Sequence, residues 1–353
     1  MERMVDHMLP SEMSVSKLAW KLVPIYSEKI RDRKVSDLIK ANRFVIPSEV
    51  PQRSYAKVES LFYDYFDEVD FVELSPLQPL GINHVLAKTD GKNAIPTIRG
   101  QEVISDATTA LFMEAYNRYT DSTSNLKRLA THVRTVRPQI FNKESRFLPH
   151  FKVFAEVSVG RQTSPFGARE VATIATHLTD ELTMLDTICS CLPNRVIGIN
   201  AYISNQIFAR EIARKLGDSI DSLHLMDSAR KVWEDLKMPR HLSLDVDLIS
   251  VLETLGFNKG LKITKMFLDE LNGRGFNSRH VKFVFDLSRT EGINYYKHIA
   301  YKITAIRDDD LELPLADGGS NDWGTKMSQD KQIFTVSSGI GTELFIKNFL
   351  ELA

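Results

Sequence analysis

The residues most able to do chemistry lie on two predicted strands, residues 128–137 and 150–159. A polar loop opened by Pro138 and closed by Pro149 joins them into a hairpin, and long loops of this kind often carry function. Four cations on or beside the hairpin could hold a phosphate group: Arg134, Arg137, Lys152 and Arg161. The same cations would also suit the solvated surface of an ordinary hairpin.

The histidines and cysteines indicate a function less clearly than the hairpin cations do. His132 and His150 could meet across the hairpin, although two separately satisfied histidines are the simpler interpretation. Cys189 and Cys191 form a Cys-Ser-Cys sequence, which is neither a disulfide framework nor a zinc knuckle. Such sparse cysteine usage suits a reducing cytosol, so we expect a cytoplasmic protein without a metal site.

The composition excludes several classes of protein. Of 353 residues, 43% are hydrophobic and 26% are charged, which is typical of a globular protein. The formal net charge of −1 argues against broad electrostatic binding to nucleic acid or to an anionic membrane. No apolar run reaches the roughly 18–20 residues of a membrane-spanning helix, and the first residues show no signal-peptide pattern.

The hydrophobic patterns predict the elements that position these residues. Predicted helices cover 14–40 (broken or kinked at Pro24), 51–66, 103–119, 167–188, 204–216, 219–236, 245–256, 260–272 and the stretch from 341. Besides the hairpin, predicted strands cover 69–74, 196–200, 280–287, 297–306, 311–315 and 333–338. Strands and helices in blocks imply an α+β fold on an antiparallel sheet. We expect an N-terminal helical extension over 1–45 and a core over 46–353, with a helical insertion at about 167–275.

Several segments occur in an order that points to one family. Residues 55–79 place a helix before a strand that ends at Pro76. Further segments follow: 97–102 (TIRGQE), 132–160, 285–296 (FDLSRTEGINYY), Gly318-Gly319 with Asp322, and 339–345 (GIGTELF). In this order residues 45–353 resemble the catalytic domain of class II aminoacyl-tRNA synthetases, most closely the histidyl branch. The resemblance implies an antiparallel sheet flanked by helices, and a homodimer interface at residues 55–79.

The resemblance also implies a ligand pocket. Glu102 belongs to a segment similar to the family's Leu-Arg-Pro-Glu, whose acid holds the amino group of the substrate, although Gly100 and Gln101 stand where Pro-Glu would be. Arg134 matches the arginine that grips the α-phosphate. We expect these two residues to converge over the sheet with three aromatic residues: Phe151, Tyr295 and Tyr296. Two tyrosines on a strand also suit ordinary packing.

Five family positions are substituted, and each substitution removes a polar contact. Val136 replaces the acid that recognises adenine, Glu291 replaces the catalytic arginine, and Leu344 replaces the arginine of the last motif. Losing such a cation typically costs about 10²–10⁴ in rate. Val153 and Val157 replace the two polar contacts that specify histidine. We therefore expect no catalytic residues and weak or absent histidine binding.

The leading hypothesis is a non-catalytic histidyl-tRNA synthetase paralogue. It would act as a regulatory or scaffold subunit, most specifically of ATP phosphoribosyltransferase in histidine biosynthesis. We expect a homodimer that binds a short catalytic subunit of that enzyme, with no cofactor and no membrane contact. The family's anticodon-binding domain would follow the last helix, where this sequence ends, so tRNA is not an expected partner.

Two alternatives remain open. One is a class II synthetase-like ligase, or an enzyme that activates an amino acid or acyl group in a remodelled pocket, with ATP and Mg²⁺ as cofactors. The hairpin cations would then supply the missing positive charge. The other is a translation-associated interaction module that uses residues 1–45 as its contact element.

Overall fold

The computed structural model describes residues 13–39, 43–88, 94–121, 125–138, 148–163, 167–215, 238–244, 247–276 and 280–352. Within them the strands are β1 (Asp70–Phe71), β2 (Leu77–Pro79), β3 (Gln101–Val103), β4 (Leu126–Val136), β5 (His150–Arg161), β6 (Val196–Asn205), β7 (His241–Ser243), β8 (Val281–Asp286), β9 (Ile299–Arg307), β10 (Glu312–Asn321) and β11 (Ile333–Ile340).

Helices precede, separate and follow these strands. They are α1 (Val15–Arg31), α2 (Val35–Ile39), α3 (Gln52–Tyr65), α4 (Ile82–Ala87), α5 (Ala107–Thr120), α6 (Ala168–Cys191), α7 (Gln206–Lys215), α8 (Leu248–Thr254), α9 (Leu261–Gly273), α10 (Trp323–Ser328) and α11 (Thr342–Phe349). None of the helices in the described ranges is long and apolar enough to cross a membrane.

One large sheet organises the described residues. Its strand order is β1-β4-β5-β11-β10-β9-β6-β8-β7, and β2 pairs with β3 in a separate small sheet. Within the large sheet β1 pairs with β4, and β6 with β8, in parallel, while the other neighbours are antiparallel. The α+β prediction, with an antiparallel-dominated sheet flanked by helices, is confirmed.

Side chains of β4 alternate between two apolar layers, as the two-residue period of a strand requires. Ala130 belongs to the main core, which α3, α6 and α11 cover. Leu129 and Val133 belong to a second cluster beneath α5. Even-numbered positions of β4 therefore face α3, and odd-numbered positions face α5. This division decides which hairpin residues reach the site described below.

Of the two outcomes predicted at Pro24, a break or a kink, the break does not occur. Pro24 lies inside α1, which starts at an N-cap formed by Ser14 and continues to Arg31. A proline removes one backbone hydrogen bond and interferes with the turn before it, but it leaves the turns on either side intact. Two helices, α1 and α2, thus occupy the described part of the predicted N-terminal extension.

The predicted insertion is not wholly helical. The strand predicted at 196–200 is the ten-residue strand β6, which pairs with β9 and β8 inside the large sheet. Ladder hydrogen bonds on both sides stabilise it more than its own sequence pattern suggests. The helix predicted over 219–236 lies outside the described residues.

The element before α5 also differs from its prediction. The expected helix over 103–119 begins only at Ala107, and Gln101–Val103 form β3 instead. Asp106 is the N-cap, because its side chain accepts a hydrogen bond from the backbone N–H of Thr108 at 3.0 Å. This shift places an acid at the start of the helix.

Candidate functional site

A cavity of about 1000 Å³ opens where α5 begins, beside the β4–β5 hairpin. The turn between β8 and β9 and the adjoining ends of β10 and β11 complete its wall. The polar and aromatic residues that line it are His84, Lys88, Asp106, Thr108, Thr135, Arg137, Phe151, Phe154, Arg289, Glu291, Asn294, Tyr295, Tyr296, Lys302 and Asp317. A cavity of this size, apolar in part and with convergent polar groups, is typical of a small-molecule site.

Tyr295 links the cavity to the start of α5. Its hydroxyl lies 2.6 Å from Thr108 Oγ1 and 3.2 Å from Asp106 Oδ2. Burial, and then the negative charge of Asp106, raises the pKa of Tyr295 well above its usual value. The phenol therefore stays protonated, and this end of the cavity presents one carboxylate held by neutral donors.

A second group of polar residues forms the other end. Tyr296 donates a short hydrogen bond to Asp317 Oδ1, and Arg289 Nη2 donates to Asp317 Oδ2 at 2.6 Å. Burial, and then Asp317, raises the pKa of Tyr296 well above its usual value. The turn beneath these residues needs Gly292, because its φ is +74° and a Cβ there would lie 2.7 Å from Tyr296 Cδ2.

The structure brings together three of the five residues expected in the pocket. Phe151, Tyr295 and Tyr296 line the cavity. Tyr295 and Tyr296 are also packed residues, with ring centroids 4.8 Å apart. Whether a ligand contacts any of the three stays a prediction.

Glu102 does not join them. It is 1% exposed, and its carboxylate accepts hydrogen bonds from Gln78 Nε2 at 2.8 Å, Gly81 N at 2.9 Å and Asn83 Nδ2 at 3.3 Å. Glu102 therefore fastens β3 to the turn that starts α4. In this part of the chain the acid that lines the cavity is Asp106, four residues further along.

Arg134 also lies away from the cavity, on the α3 face of the sheet. Its guanidinium donates to Glu343 Oε2 at 2.8 Å and to Tyr55 OH at 3.2 Å. The physical reason is strand alternation: Arg134 is an even-numbered position of β4, whereas Thr135 and Arg137 point to the cavity side. The arginine from this hairpin that lines the cavity is Arg137, whose Nε donates to Ser105 O at 2.9 Å.

The other hairpin residues lie elsewhere. Lys152 pairs with Glu59 on α3, and Arg161 pairs with Asp330 at 2.8 Å. The two histidines do not meet. His150 contacts Arg134 and the carbonyl of Ile46, and His132 lies among aromatic rings of the main core.

The five substituted positions separate into two groups. Val153 and Glu291 line the cavity, and Lys302 Nζ lies 3.4 Å from the carboxylate of Glu291. Val157 is buried in the cluster beneath α5, and Leu344 packs against the main core. Val136 ends β4, where its N–H donates to Ile104 O. Neither Val136, Val157 nor Leu344 is among the cavity-lining residues.

Sequence reasoning missed Asp106, Arg289 and Asp317. The first had a usable signal, since an aspartate before an apolar helical run is a typical N-cap. Arg289 and Asp317 had none, because they become neighbours only when the β8–β9 turn packs against β10.

Comparison with known proteins gives a fold. No protein-family model matches the sequence, and no curated protein is significantly similar to it. Many solved structures do match. The structure of an ATP phosphoribosyltransferase regulatory subunit/histidyl-tRNA synthetase from Bacillus halodurans has a TM-score of 0.67 at 12% identity, over 87% of this chain and 83% of that one.

Two histidyl-tRNA synthetase structures are also similar. The enzyme from Nostoc sp. PCC 7120 has a TM-score of 0.64 at 15% identity, over 88% of this chain and 77% of that one. A histidine–tRNA ligase subunit from Alicyclobacillus acidocaldarius has a TM-score of 0.57 at 14% identity, over 85% and 94%. The chain has a class II synthetase-like fold. At these identities the likeness concerns the fold, and the activity has to be argued from the cavity.

Proposed function

We propose that this chain is a non-catalytic histidyl-tRNA synthetase paralogue that serves as a regulatory or scaffold subunit, most specifically of ATP phosphoribosyltransferase in histidine biosynthesis. The proposal rests on a contrast between two sets of residues: those where α5 begins and those where the resemblance expects phosphate-binding cations. Where α5 begins, the cavity wall carries an acid, a hydroxyl and a phenol: Asp106, Thr108 and Tyr295. Of the two positions where the family resemblance expects a phosphate-binding arginine, Glu291 lines the cavity and Leu344 packs against the main core.

Electrostatics explain why these substitutions oppose adenylate formation. Charge moves off the α-phosphate as pyrophosphate leaves, so the reaction needs cations placed in advance. Glu291 puts a carboxylate on the cavity wall where the resemblance expects a cation, and its pairing with Lys302 leaves no net positive charge there to attract phosphate. Leu344 lies in the packing of α11 and offers no charge at all. Binding an effector does not require cations that hold a triphosphate. The cavity therefore fits a binding role better than catalysis.

The cavity would then serve as an effector site. Val153 on its wall offers no hydrogen bond to an imidazole, so histidine should bind weakly or not at all. We expect a larger increase in melting temperature with another metabolite, or with a protein partner, than with histidine. A clear shift with histidine that Tyr295→Ala abolishes would instead indicate a retained histidine site.

Partner identification tests the proposal. The tagged chain is used to capture proteins from its own organism, and the captured proteins are identified by mass spectrometry. We expect a short ATP phosphoribosyltransferase, and we expect the purified pair to differ in transferase activity from the catalytic subunit alone. Capture without that enzyme, or no effect on its activity when the two are mixed, would refute the assignment.

A second candidate is favoured by one observation: two arginines, Arg137 and Arg289, do reach the cavity. They could supply cations to ATP from positions the family does not use, as an acyl- or amino-acid-activating ligase would require. ATP-dependent pyrophosphate exchange separates this candidate from the non-catalytic subunit.

A further inference from the structure

Helix α1 carries an apolar face that its own chain leaves open. Its hydrophobic residues recur at helical spacing, yet none of its 17 residues is buried. Trp20 is 83% exposed and Ile30 is 59% exposed. The exposed apolar side chains of α1 and α2 include Trp20, Ile25, Tyr26, Ile30, Val35 and Leu38. Large apolar side chains gathered on one short segment are typical of an interaction surface.

The described chain holds α1 mainly by its first half. Val15 packs against Gly100, where a Cβ would collide with it, and Leu18 and Leu22 are half-buried. Residues 24–38, which cover the second half of α1 and most of α2, are all exposed. Residues 13–39 therefore form an arm, attached near β3, whose outer half is left largely uncovered by the rest of the described chain.

The arm is also positively charged. Residues 13–39 contain six Lys and Arg against three Asp and Glu, a net charge of +3 in a chain whose total is −1. The cations, none of which forms an ion pair with a described residue, are Lys17, Lys21, Lys29, Arg31, Arg33 and Lys34. Apolar side chains set among unpaired cations fit a partner surface that is apolar and acidic.

This chain has such a surface at the end of α3 and around β1. Residues 58–83 contain six acids and no Lys or Arg. Two of the acids, Glu59 and Asp70, pair with lysines of the β4–β5 hairpin. The other four, which are exposed and form no ion pair with a described residue, are Asp64, Asp67, Glu68 and Glu73. These four residues are called the acidic surface below.

Apolar side chains lie beside the acidic surface. Tyr63 is exposed, and its ring centroid is 4.6 Å from that of Phe71 on β1. Burial, and then the charges of Glu59 and Glu73, raises the pKa of Tyr63. The end of α3 and the residues after β1 therefore belong to one surface, and Leu77, which follows them, is exposed as well. This surface is apolar and negative, whereas the arm is apolar and positive.

Within one chain the two surfaces do not satisfy each other, because no cation of the arm pairs with an acid of the acidic surface among the described residues. We propose that the arm docks on the acidic surface of a second copy of this chain. In a twofold dimer each copy gives one arm and receives one, so the exchange closes without leaving a free arm. The family resemblance begins at residue 45 and assigns nothing to the arm.

Charge reversal on the full-length chain tests the exchange. The arm-reversed variant carries Lys29→Glu, Arg31→Glu and Lys34→Glu. The surface-reversed variant carries Asp64→Lys, Asp67→Lys and Glu68→Lys. Sedimentation velocity over a dilution series gives the dissociation constant of each dimer. We expect each variant alone to dimerise about tenfold more weakly than the wild type at low salt, because like charges would face each other.

An equimolar mixture of the two variants decides whether the contact joins two copies. In a mixed dimer the reversed arm meets the reversed surface and the native arm meets the native surface, so both contacts pair opposite charges. We expect the mixture to recover the wild-type affinity. A mixture as weak as its components, no weakening in either variant, or a monomeric wild-type chain would overturn the proposal.

The matched control reverses the same number of exposed cations outside the arm. It carries Lys259→Glu, Lys265→Glu and Lys282→Glu, which lie before α9, on α9 and on β8. We expect it to dimerise as tightly as the wild type. A control as weak as the arm-reversed variant would show an effect of net charge alone and would overturn the proposal.

A lipid surface is the competing occupant, since a basic amphipathic helix with an exposed tryptophan also suits an anionic membrane. Vesicles of phosphatidylserine and phosphatidylcholine are the probe. Vesicle binding that the arm-reversed variant loses, while its dimer stays as tight as that of the wild type, would assign the arm to a membrane and overturn the proposal. None of these outcomes depends on capture of a transferase, so the proposed function is tested separately.

Discussion

His132 lies against the rings of Phe62, Phe71 and Phe154, and neither ring nitrogen has a hydrogen-bond partner among the described residues. Burial, and then the charge of Lys152, lowers the pKa of His132 to about 3. The side chain is therefore an uncharged polar ring in an apolar position. It shows how one residue can make the stability of the whole domain depend on pH.

The sign of that dependence follows from the lowered pKa. Above about pH 6.5 His132 is neutral in both states and has no effect on the pH dependence of unfolding. Below that pH the unfolded chain binds a proton that the folded chain refuses. The contribution to the free energy of unfolding therefore falls by up to about 1.4 kcal/mol per pH unit down to about pH 3. In urea unfolding at pH 7.5 and 5.0, His132→Leu should lose less stability on acidification than the wild type. Equal losses would contradict this account.

Glu181 has the opposite effect on the pH dependence of stability. It is fully buried, Tyr301 donates to it at 2.9 Å, and burial followed by the charge of Glu156 raises its pKa well above the usual value. The unfolded chain releases this proton above about pH 4.5, whereas the folded chain retains it, so stability is lost as the pH rises. Glu181→Gln keeps the shape without the proton. We expect it to be more stable than the wild type at pH 8 by about 1 kcal/mol or more, and an advantage that vanishes at pH 8 would contradict the buried-acid interpretation.

Helix α7 contacts the turn between β8 and β9 that carries Tyr295 and Tyr296. Arg210 on α7 donates to three backbone carbonyls beneath the tyrosines: those of Ile293 and Tyr296 at 2.6 Å and of Lys297 at 2.8 Å. The same turn is closed internally, since the N–H groups of Tyr295 and Tyr296 donate to Gly292 O. α7 therefore positions the cavity-lining tyrosines through backbone contacts.

Removing this clamp should loosen the turn locally. Arg210→Gln loses charge-assisted hydrogen bonds, each contributing about 1.5–3 kcal/mol. We expect amide hydrogen exchange at Tyr295 and Tyr296 to quicken at least tenfold. Arg274→Gln is the matched control, because Arg274 also donates to a backbone carbonyl, that of Ala172, but not in this turn. Equal exchange in both variants would contradict the positioning role.

Helices and strands were easier to predict from the sequence than the side of the sheet on which each side chain lies. The hairpin, the strands after residue 280 and the last helix follow from hydrophobic period and turn residues, and the structure has them. The motif match predicts Arg134 in the pocket, yet a one-residue difference along a strand moves a side chain to the opposite face. Glu102 and Asp106 could not be told apart without knowing that β3 precedes α5. Strand β6 depends on partners distant in sequence.

For the molecule as a whole, the fold bears on how the chain assembles, whereas the cavity bears on what it binds. The fold places the chain among class II synthetase-like structures, and the helix–strand unit leading to Pro76 is the region that the resemblance assigns to a dimer interface. Leu77, Leu80 and Val85 follow that unit and are exposed apolar side chains. These residues are candidates for burial between two copies of the chain.

We predict a twofold homodimer in solution. Light scattering at micromolar concentration should give about twice the 40.1 kDa mass of one chain. Leu80→Lys together with Val85→Lys should shift the mass towards the monomer, because two charges would have to be buried without partners. A wild-type chain that is monomeric at this concentration would count against the assembly.

The central claim is that a synthetase-like fold has been kept while its adenylate chemistry has been lost. Amino-acid-dependent exchange of pyrophosphate into ATP measures that chemistry directly, with histidine as the first substrate and the other amino acids as a panel. We predict no exchange above background. Leu344→Arg alone should not restore it, because Glu291 still faces the cavity and Val136 supplies no contact to adenine. Robust exchange by the wild-type chain with any amino acid would contradict the account.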